Sequence, residues 1–422
     1  MKDIKLHITQ EESLYFLVDS VESNKPIVAL IGAGGTGKSE ILSRFKPLYK
    51  SYENNDKKIF YTATTNKAVS RLKADIPGAT TLHSAVSMPK YTPLYENLED
   101  YFEKMPSDPE RKVRYKKNYL FRSDTLEFLQ DNRIEIKKFD SHLDIIFSLG
   151  LSVFDKPFFD RYIVKDRIIN SVVLIDEASM LSTKSEYKVG SLVTIGVDTA
   201  SMVFDNIILV GDSSQLPPIN GKSSFDSVES YELTKNFRSE KDLLHAIQWA
   251  RDGKSFYNYV PEEEDTNVRV VNNISKQWYI NTYGQDNVVH ICYTNKTRHL
   301  ITKRVREERK GRPEIGEPII LRGNSVNGVS KGEIGIYDGE YIVFESGKIL
   351  LRKYHNFDEY EKEKWSIFQF AYASTAHMYQ GSAADHVIIH LYDIPTFIDI
   401  ETRRKWIYTA VSRARKSITI IL

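Results

Sequence analysis

The chain has 422 residues, of which 41% are hydrophobic and 27% charged, so it is too long for one ordinary core and two to four domains are expected. Its single cysteine, Cys292, excludes an intramolecular disulfide framework and a multi-cysteine zinc site, and fits a reducing intracellular setting. A net charge of +1 does not by itself announce a nucleic-acid partner, no apolar run has the length of a membrane span, and the start MKDIKLHITQEES lacks the apolar core of a signal peptide.

In chain order, PIVALI (26–31) is a short apolar run that passes into Gly32 and then into the helical GKSEILSRF, a strand–loop–helix. KKIFYTATT (57–65) reads as a second buried strand, followed by a helix from Asn66 to about Asp75. SVVLIDEAS (171–179) and DNIILVGD (205–212) are further strands, each ending in acidic residues. Unbroken Val/Ile/Leu runs of this kind suit a parallel sheet covered on both faces. The plan then restarts: NVVHICYTNKTRHLITKRV (287–305) repeats the order strand, Thr-Asn-Lys, helix, and SITIIL (417–422) supplies a last strand. The fold class expected is α/β, with two P-loop-type parallel-sheet domains and an accessory insert in each.

The expected boundaries are 1–87 with 171–222 for the first domain and 223–315 with 367–422 for the second. Residues 88–170, rich in Tyr, Phe and charge, form the first insert, without a clear βα rhythm. Residues 316–366, with short Gly-punctuated alternating runs, read as a small antiparallel barrel. The basic runs RKVRYKK (111–117) and KRVREERKGR (303–312) read as solvated helix faces.

Gly32-Ala33-Gly34-Gly35-Thr36-Gly37-Lys38-Ser39 fits G-x-x-x-x-G-K-[ST] in the strand-to-helix setting that the motif requires. Glycines let successive N–H groups curl toward phosphate, and the helix N-terminus adds its positive dipole end. Lys38 is placed for the β/γ-phosphates and the Ser39 hydroxyl for Mg²⁺. NGKSS (220–224) repeats the Gly-Lys-Ser, but Leu216 stands where the first glycine is needed. In VVLIDEAS, Asp176 at a strand tip is the second candidate for Mg²⁺, and Glu177 the group to orient and deprotonate water. Gln215, just past a strand tip in GDSSQLPPI, is placed to sense the γ-phosphate. These residues point to ATP hydrolysis with ATP and Mg²⁺.

LTKNFRS (233–239) adds Arg238 and YTAVSRAR (408–415) adds Arg413, and with them the ordered set resembles the RecD-like and Dda-like DNA helicases of superfamily 1B. The resemblance implies two RecA-like domains with ATP between them, the second contributing Arg238 and Arg413 against the transferring phosphoryl group. It also implies Gln10 at the adenine edge and Gly381 in the nucleotide site. ATTNKA and TLHSAV match the first domain's strand-gripping motifs, and YTNK and ASTAHMYQG the second's, which implies Thr64, Asn66, His83, Asn295, Thr375 and His377 at single-stranded DNA. PKYTPLYENL resembles the strand-separating hairpin, with Tyr91, Tyr95 or Phe102 able to stack on a base. Ordinary packing is the competing reading for these rings. Residues 316–366 resemble an SH3-like insert.

The activity implied is 5′→3′ translocation on single-stranded DNA with unwinding of duplex junctions. The alternatives are an RNA-acting motor of the same superfamily and a nucleotide-switched binding ATPase that unwinds nothing. Replication or recombination proteins are compatible partners, no membrane is involved, and the expected location is the cytoplasm of a bacterial or phage-infected cell.

Overall fold

The computed structural model describes residues 6–52, 56–93, 157–188, 191–218, 221–237, 241–261, 266–273, 288–306, 313–322, 329, 332–351 and 368–422. In chain order the strands are β1 Ile27–Gly32, β2 Lys58–Ala63, β3 Thr80–Thr81, β4 Ser87–Pro93, β5 Pro157–Val164, β6 Ile168–Asp176, β7 Glu186–Lys188, β8 Ser191–Thr194, β9 Phe204–Gly211 and β10 Ser230–Leu233. They continue as β11 Val268–Val271, β12 Val288–Cys292, β13 Pro318–Leu321, β14 Ile334–Tyr337, β15 Tyr341–Val343, β16 Lys348–Leu350, β17 Phe368–Phe370, β18 Ala373–Thr375, β19 Ala384–His390 and β20 Ala414–Ile421. The helices are α1 Ile8–Glu22, α2 Lys38–Ser51, α3 Asn66–Asp75, α4 Leu82–Val86, α5 Val197–Val203, α6 Lys241–Arg251, α7 Asn295–Arg306, α8 Ala376–Tyr379 and α9 Ile400–Val411.

Two parallel sheets carry the architecture. The first runs β10-β1-β9-β6-β2-β3 and the second β11-β20-β19-β12-β18, with parallel pairing throughout both. The apolar runs of β1, β6 and β9 are buried along nearly their whole length, as strands covered on both faces must be. Leu17 and Val18 of α1 and Ile41, Leu42 and Phe45 of α2 close over Leu30, Leu174, Ile208 and Val210. The second sheet has its own core, in which Trp406 and Tyr408 of α9 meet Ile291, Ile389, Ile418 and Ile420.

Three placements differ from the sequence-based boundaries. β10 pairs with β1, Ala29 opposite Ser230 and Gly32 opposite Leu233, so the first sheet runs past residue 222. Glu186–Thr194, expected in the first domain, groups with Val86–Lys165 in a separate compact unit, while both parallel sheets lie in the other unit. The antiparallel sheet β16-β15-β14-β13-β17 takes in Phe368–Phe370, beyond the expected end at 366.

Within the smaller unit, β4 pairs antiparallel with β5, Ser87 opposite Val164 and Pro93 opposite Pro157. The PKYTP strand therefore pairs with residues 157–164 among the described residues. Tyr91 lies on β4, whereas Tyr95 and Phe102 fall outside the described residues.

Candidate active site and nucleic-acid grip

In a parallel sheet all strands present their C-terminal ends on one side, where loops meet and ligands bind. β1 delivers the Gly32–Gly37 loop there, β2 delivers Thr64, β6 delivers Asp176 and Glu177, β9 delivers Asp212–Gln215, and β10 delivers Lys235–Phe237. Lys38 opens α2, and its ammonium donates to the loop carbonyls of Gly32 at 2.5 Å and Ala33 at 2.8 Å. The loop is held from outside by Asn236 Nδ2 on Gly34 O (2.7 Å) and by the Phe237 N–H on Gly35 O (2.9 Å).

Two glycines are dictated by this packing. A Cβ on Gly32 would lie 2.6 Å from Thr36 Oγ1 and 3.0 Å from the Leu233 side chain, so the loop can pass β10 only without one. Gly37 has φ +88° and a Cβ there would meet Gln10 Nε2 at 2.1 Å. A Cβ on Gly34, by contrast, would face open space.

Gln10 sits against this loop. Its Oε1 accepts from the His7 N–H (3.0 Å), closing a capping box at the start of α1, and its Nε2 donates to Thr36 O (3.2 Å). In this structure the residue expected at an adenine edge fastens α1 to the phosphate loop.

Asp176 is buried, and burial followed by the neighbouring Glu177 charge pushes its carboxyl up to about 6, against the pull of Lys38. Glu177 adopts φ +54°, a left-handed conformation that a non-glycine residue rarely takes and that is common at functional sites. Its carboxylate accepts from Arg71 Nη2 at 2.9 Å, and its carbonyl accepts from Thr64 Oγ1 at 3.2 Å. Gln215 is buried; its Nε2 donates to Asp212 Oδ2 (3.3 Å), and its Oε1 has no partner among the described residues.

These groups fit a magnesium–nucleotide. The loop offers a cation and an open glycine side, Ser39 and Asp176 offer two oxygen ligands for a hard cation, and Gln215 offers an orphaned acceptor.

The second sheet reaches this site directly. Tyr408 of α9 donates to Asp212 Oδ2 at 2.7 Å, and Thr409 Oγ1 accepts from the Leu216 N–H at 2.9 Å. Gln380 Nε2 donates to Leu216 O at 3.1 Å. Arg413, just past α9, is 5% exposed, and its guanidinium donates to Thr409 O, Ser382 O and Ser412 Oγ. It faces no carboxylate within ion-pair distance among the described residues, an unusual state for a buried arginine and one suited to an arriving anion. Arg238 lies outside the described residues.

The expected strand-gripping residues fall into two corresponding corners. β3 is the edge strand of the first sheet and lies in register with β2, Ala63 opposite Thr81, so Thr64–Asn66 and His83 emerge side by side. β18 is the edge strand of the second sheet and lies in register with β12, Cys292 opposite Thr375, so Asn295 emerges beside Thr375 and His377. The shared Thr-Asn-Lys has a local cause. Thr65 accepts from the Ala68 N–H to cap α3, and Thr294 accepts from the Thr297 N–H at the start of α7, with the Asn opening each helix. Thr375 caps α8 in the same way through the Met378 N–H.

Motif reading did not single out Arg71, Lys67 or Asp393. Asp393 Oδ2 accepts from the N–H groups of Tyr293 and Thr294, both at 2.7 Å, and Oδ1 accepts from Thr294 Oγ1 at 2.9 Å and Thr297 Oγ1 at 2.5 Å. It lies about a hundred residues from the turn it holds, and no local pattern marks it.

Two family models match, the AAA domain over residues 18–221 and the UvrD-like helicase C-terminal domain over residues 370–421. Among solved structures, a Bacteroides Pif1 helicase bound to single-stranded DNA is 18% identical, with a TM-score of 0.51 over 99% of this chain and 92% of that one. A second Pif1 structure, described as unwinding forked double-stranded DNA with two coordinating helicases, is 16% identical with the same TM-score and coverage. No curated protein matches the sequence. The fold and the phosphate loop define a P-loop ATPase built on two RecA-like sheets. An AAA domain followed by a UvrD-like helicase C-terminal domain agrees with the resemblance to helicases read from the sequence.

Proposed function

We propose that this chain is an ATP-driven motor that moves 5′→3′ along single-stranded DNA and unwinds duplex ahead of it. The observation that carries the reading is the direct seating of α9, with Arg413 at its end, on the Asp212–Leu216 loop of the nucleotide site. That bond pattern links the state of the phosphate site to the position of the second sheet. Lys38 binds the β/γ-phosphates, exchanging two loop carbonyls for phosphate oxygens. Ser39 and Asp176 would hold Mg²⁺, which would supply neutralisation of phosphate charge. Glu177 orients the attacking water and takes its proton, Gln215 turns its free acceptor toward that water, and Arg413 stabilises charge that develops on the transferring group.

The grips complete the cycle. Thr, Asn and His at the two corners bond phosphates and sugars without reading sequence, as a motor requires. Support for DNA as the strand comes from the helicase C-terminal match and from the Pif1 neighbours, whose descriptions name single-stranded and forked DNA.

Turnover of ATP with and without oligo-dT tests this reading. Stimulation by oligo-dT beyond that by oligo-U, lost in Lys38→Ala with strand binding retained, is the expected result. Equal stimulation by oligo-U would move the substrate to RNA, and none by either would leave a nucleotide-switched binding protein.

A further inference from the structure

The candidate catalytic carboxylate and the first strand grip are linked through one helix, α3. α3 begins at Asn66, beside the candidate grip residue Thr64, and one and a half turns later presents Arg71, whose Nη2 donates to Glu177 Oε1 at 2.9 Å. The turn before α3 is tied to the same acidic pair, through the Thr64 N–H to Asp176 O and Thr64 Oγ1 to Glu177 O. The second sheet closes over the spot with Gly381. A Cβ built there would lie 3.8 Å from Glu177 Oε1, 3.9 Å from Arg71 Nη2 and 3.9 Å from Thr65 Oγ1. The Arg71 side chain remains 46% exposed while that of Glu177 is 16% exposed, so the arginine is open to an incoming anion on one side and holds the base on the other.

From this juxtaposition, and resting on the functional reading above, we propose that Arg71 is a positioning residue that restrains Glu177 when no strand is bound and lets it go by pairing with a DNA phosphate instead. A carboxylate held in an ion pair is fixed in one geometry, turned to the guanidinium and away from any other partner. An ion pair this exposed contributes about 0–1 kcal/mol, so it is easily exchanged. A phosphodiester at the Thr64–Asn66 turn offers two oxygens to the guanidinium fork, the geometry that arginine binds best. Movement of Arg71 to that phosphate leaves Glu177 free to face the attacking water. Hydrolysis is then slow off the strand and fast on it, with no change in the nucleotide contacts themselves.

Arg71→Ala and Arg71→Gln test the link, with Arg71→Lys as the conservative variant. The expected result is a several-fold rise in strand-free kcat with KM for ATP unchanged and a collapse of stimulation by oligo-dT. The salt dependence of oligo-dT binding should also fall by about 0.7 in log–log slope, the share of one phosphate contact. Lys, which keeps the charge but lacks the fork, should fall between. A stimulated wild type whose Ala and Gln variants keep the low strand-free rate and full stimulation would overturn the link alone. A wild type indifferent to strands would overturn the functional reading and the link together.

Discussion

Tyr408 donates its hydroxyl to Asp212 Oδ2 at 2.7 Å, joining the helix that ends beside Arg413 to the loop that carries Gln215. Both residues are buried, and burial together with the Asp212 charge holds the phenol well above its ordinary pKa, so it acts only as the protonated donor. Tyr408→Phe removes that bond and leaves the ring packed. The stability cost expected is ~1–3 kcal/mol, because a buried carboxylate oxygen loses a donor. The larger effect should be on coupling, with nucleotide affinity within a few-fold and strand-stimulated turnover markedly reduced.

Arg413→Ala removes the group that the coupling delivers. If Arg413 acts as the proposed finger, mainly in the transition state, nucleotide binding should hold within a few-fold while hydrolysis falls ~10³-fold or more. A variant that loses ATP binding but turns over normally at saturation would assign Arg413 to ground-state binding instead.

Asp393 organises the turn of the proposed second grip through four accepted hydrogen bonds at Tyr293–Thr297. Asp393→Ala strips two backbone N–H groups and two hydroxyls of their acceptor. Single-strand affinity should drop several-fold and strand-free ATP turnover should stay within about twofold of wild type, because the phosphate loop lies on the other sheet. Equal loss of both activities would mean that Asp393 supports the whole fold rather than the grip.

Lys67 follows Asn66 in the first grip, and its ammonium lies 5.4 Å from the Tyr379 ring. Burial first, then the nearby Arg71 and Arg415, lower its pKa to about 8, with Glu333 and Glu345 pulling the other way. A phosphate placed beside it would raise that value again, so binding takes up a proton above about pH 8. Affinity for oligo-dT should therefore fall as pH rises from 7 to 9.5 at constant ionic strength, and Lys67→Met should remove that slope. A wild type with flat affinity across this range would separate Lys67 from the strand.

Much of this was legible because it is local. The phosphate loop needs glycines at fixed spacing, and the two Thr-Asn-Lys stretches are strand-to-helix turns in which a threonine caps the helix. What could not be read was long-range or short. β10 is a four-residue strand with one buried position, too brief for a pattern, yet it completes the first sheet and imposes Gly32 through Leu233. The β4–β5 ribbon pairs the two ends of the first insert, more than sixty residues apart, a contact that no local pattern marks. Arg71 and Asp393 act on residues about a hundred positions away, and only the folded chain reveals what they hold. Gln10 shows the reverse: its motif position was visible, but its two bonds, to His7 and Thr36, were not.

A motor with a fixed direction separates duplexes from one kind of single-stranded tail and not the other, so unwinding of tailed duplexes is the decisive measurement. In the proposed motor, ATP-driven closing and opening of the two sheets would alternately tighten one candidate grip and loosen the other, and either direction is available to such an engine. Polarity is carried here by likeness to superfamily 1B, and the β4–β5 ribbon is the candidate element at the duplex junction. With Mg²⁺ and ATP, the account predicts strand separation from a 5′ single-stranded tail and little from a 3′ tail or a blunt end. Unwinding from 3′ tails at an equal or greater rate, or strand-stimulated ATP turnover with no separation from either tail, would contradict it.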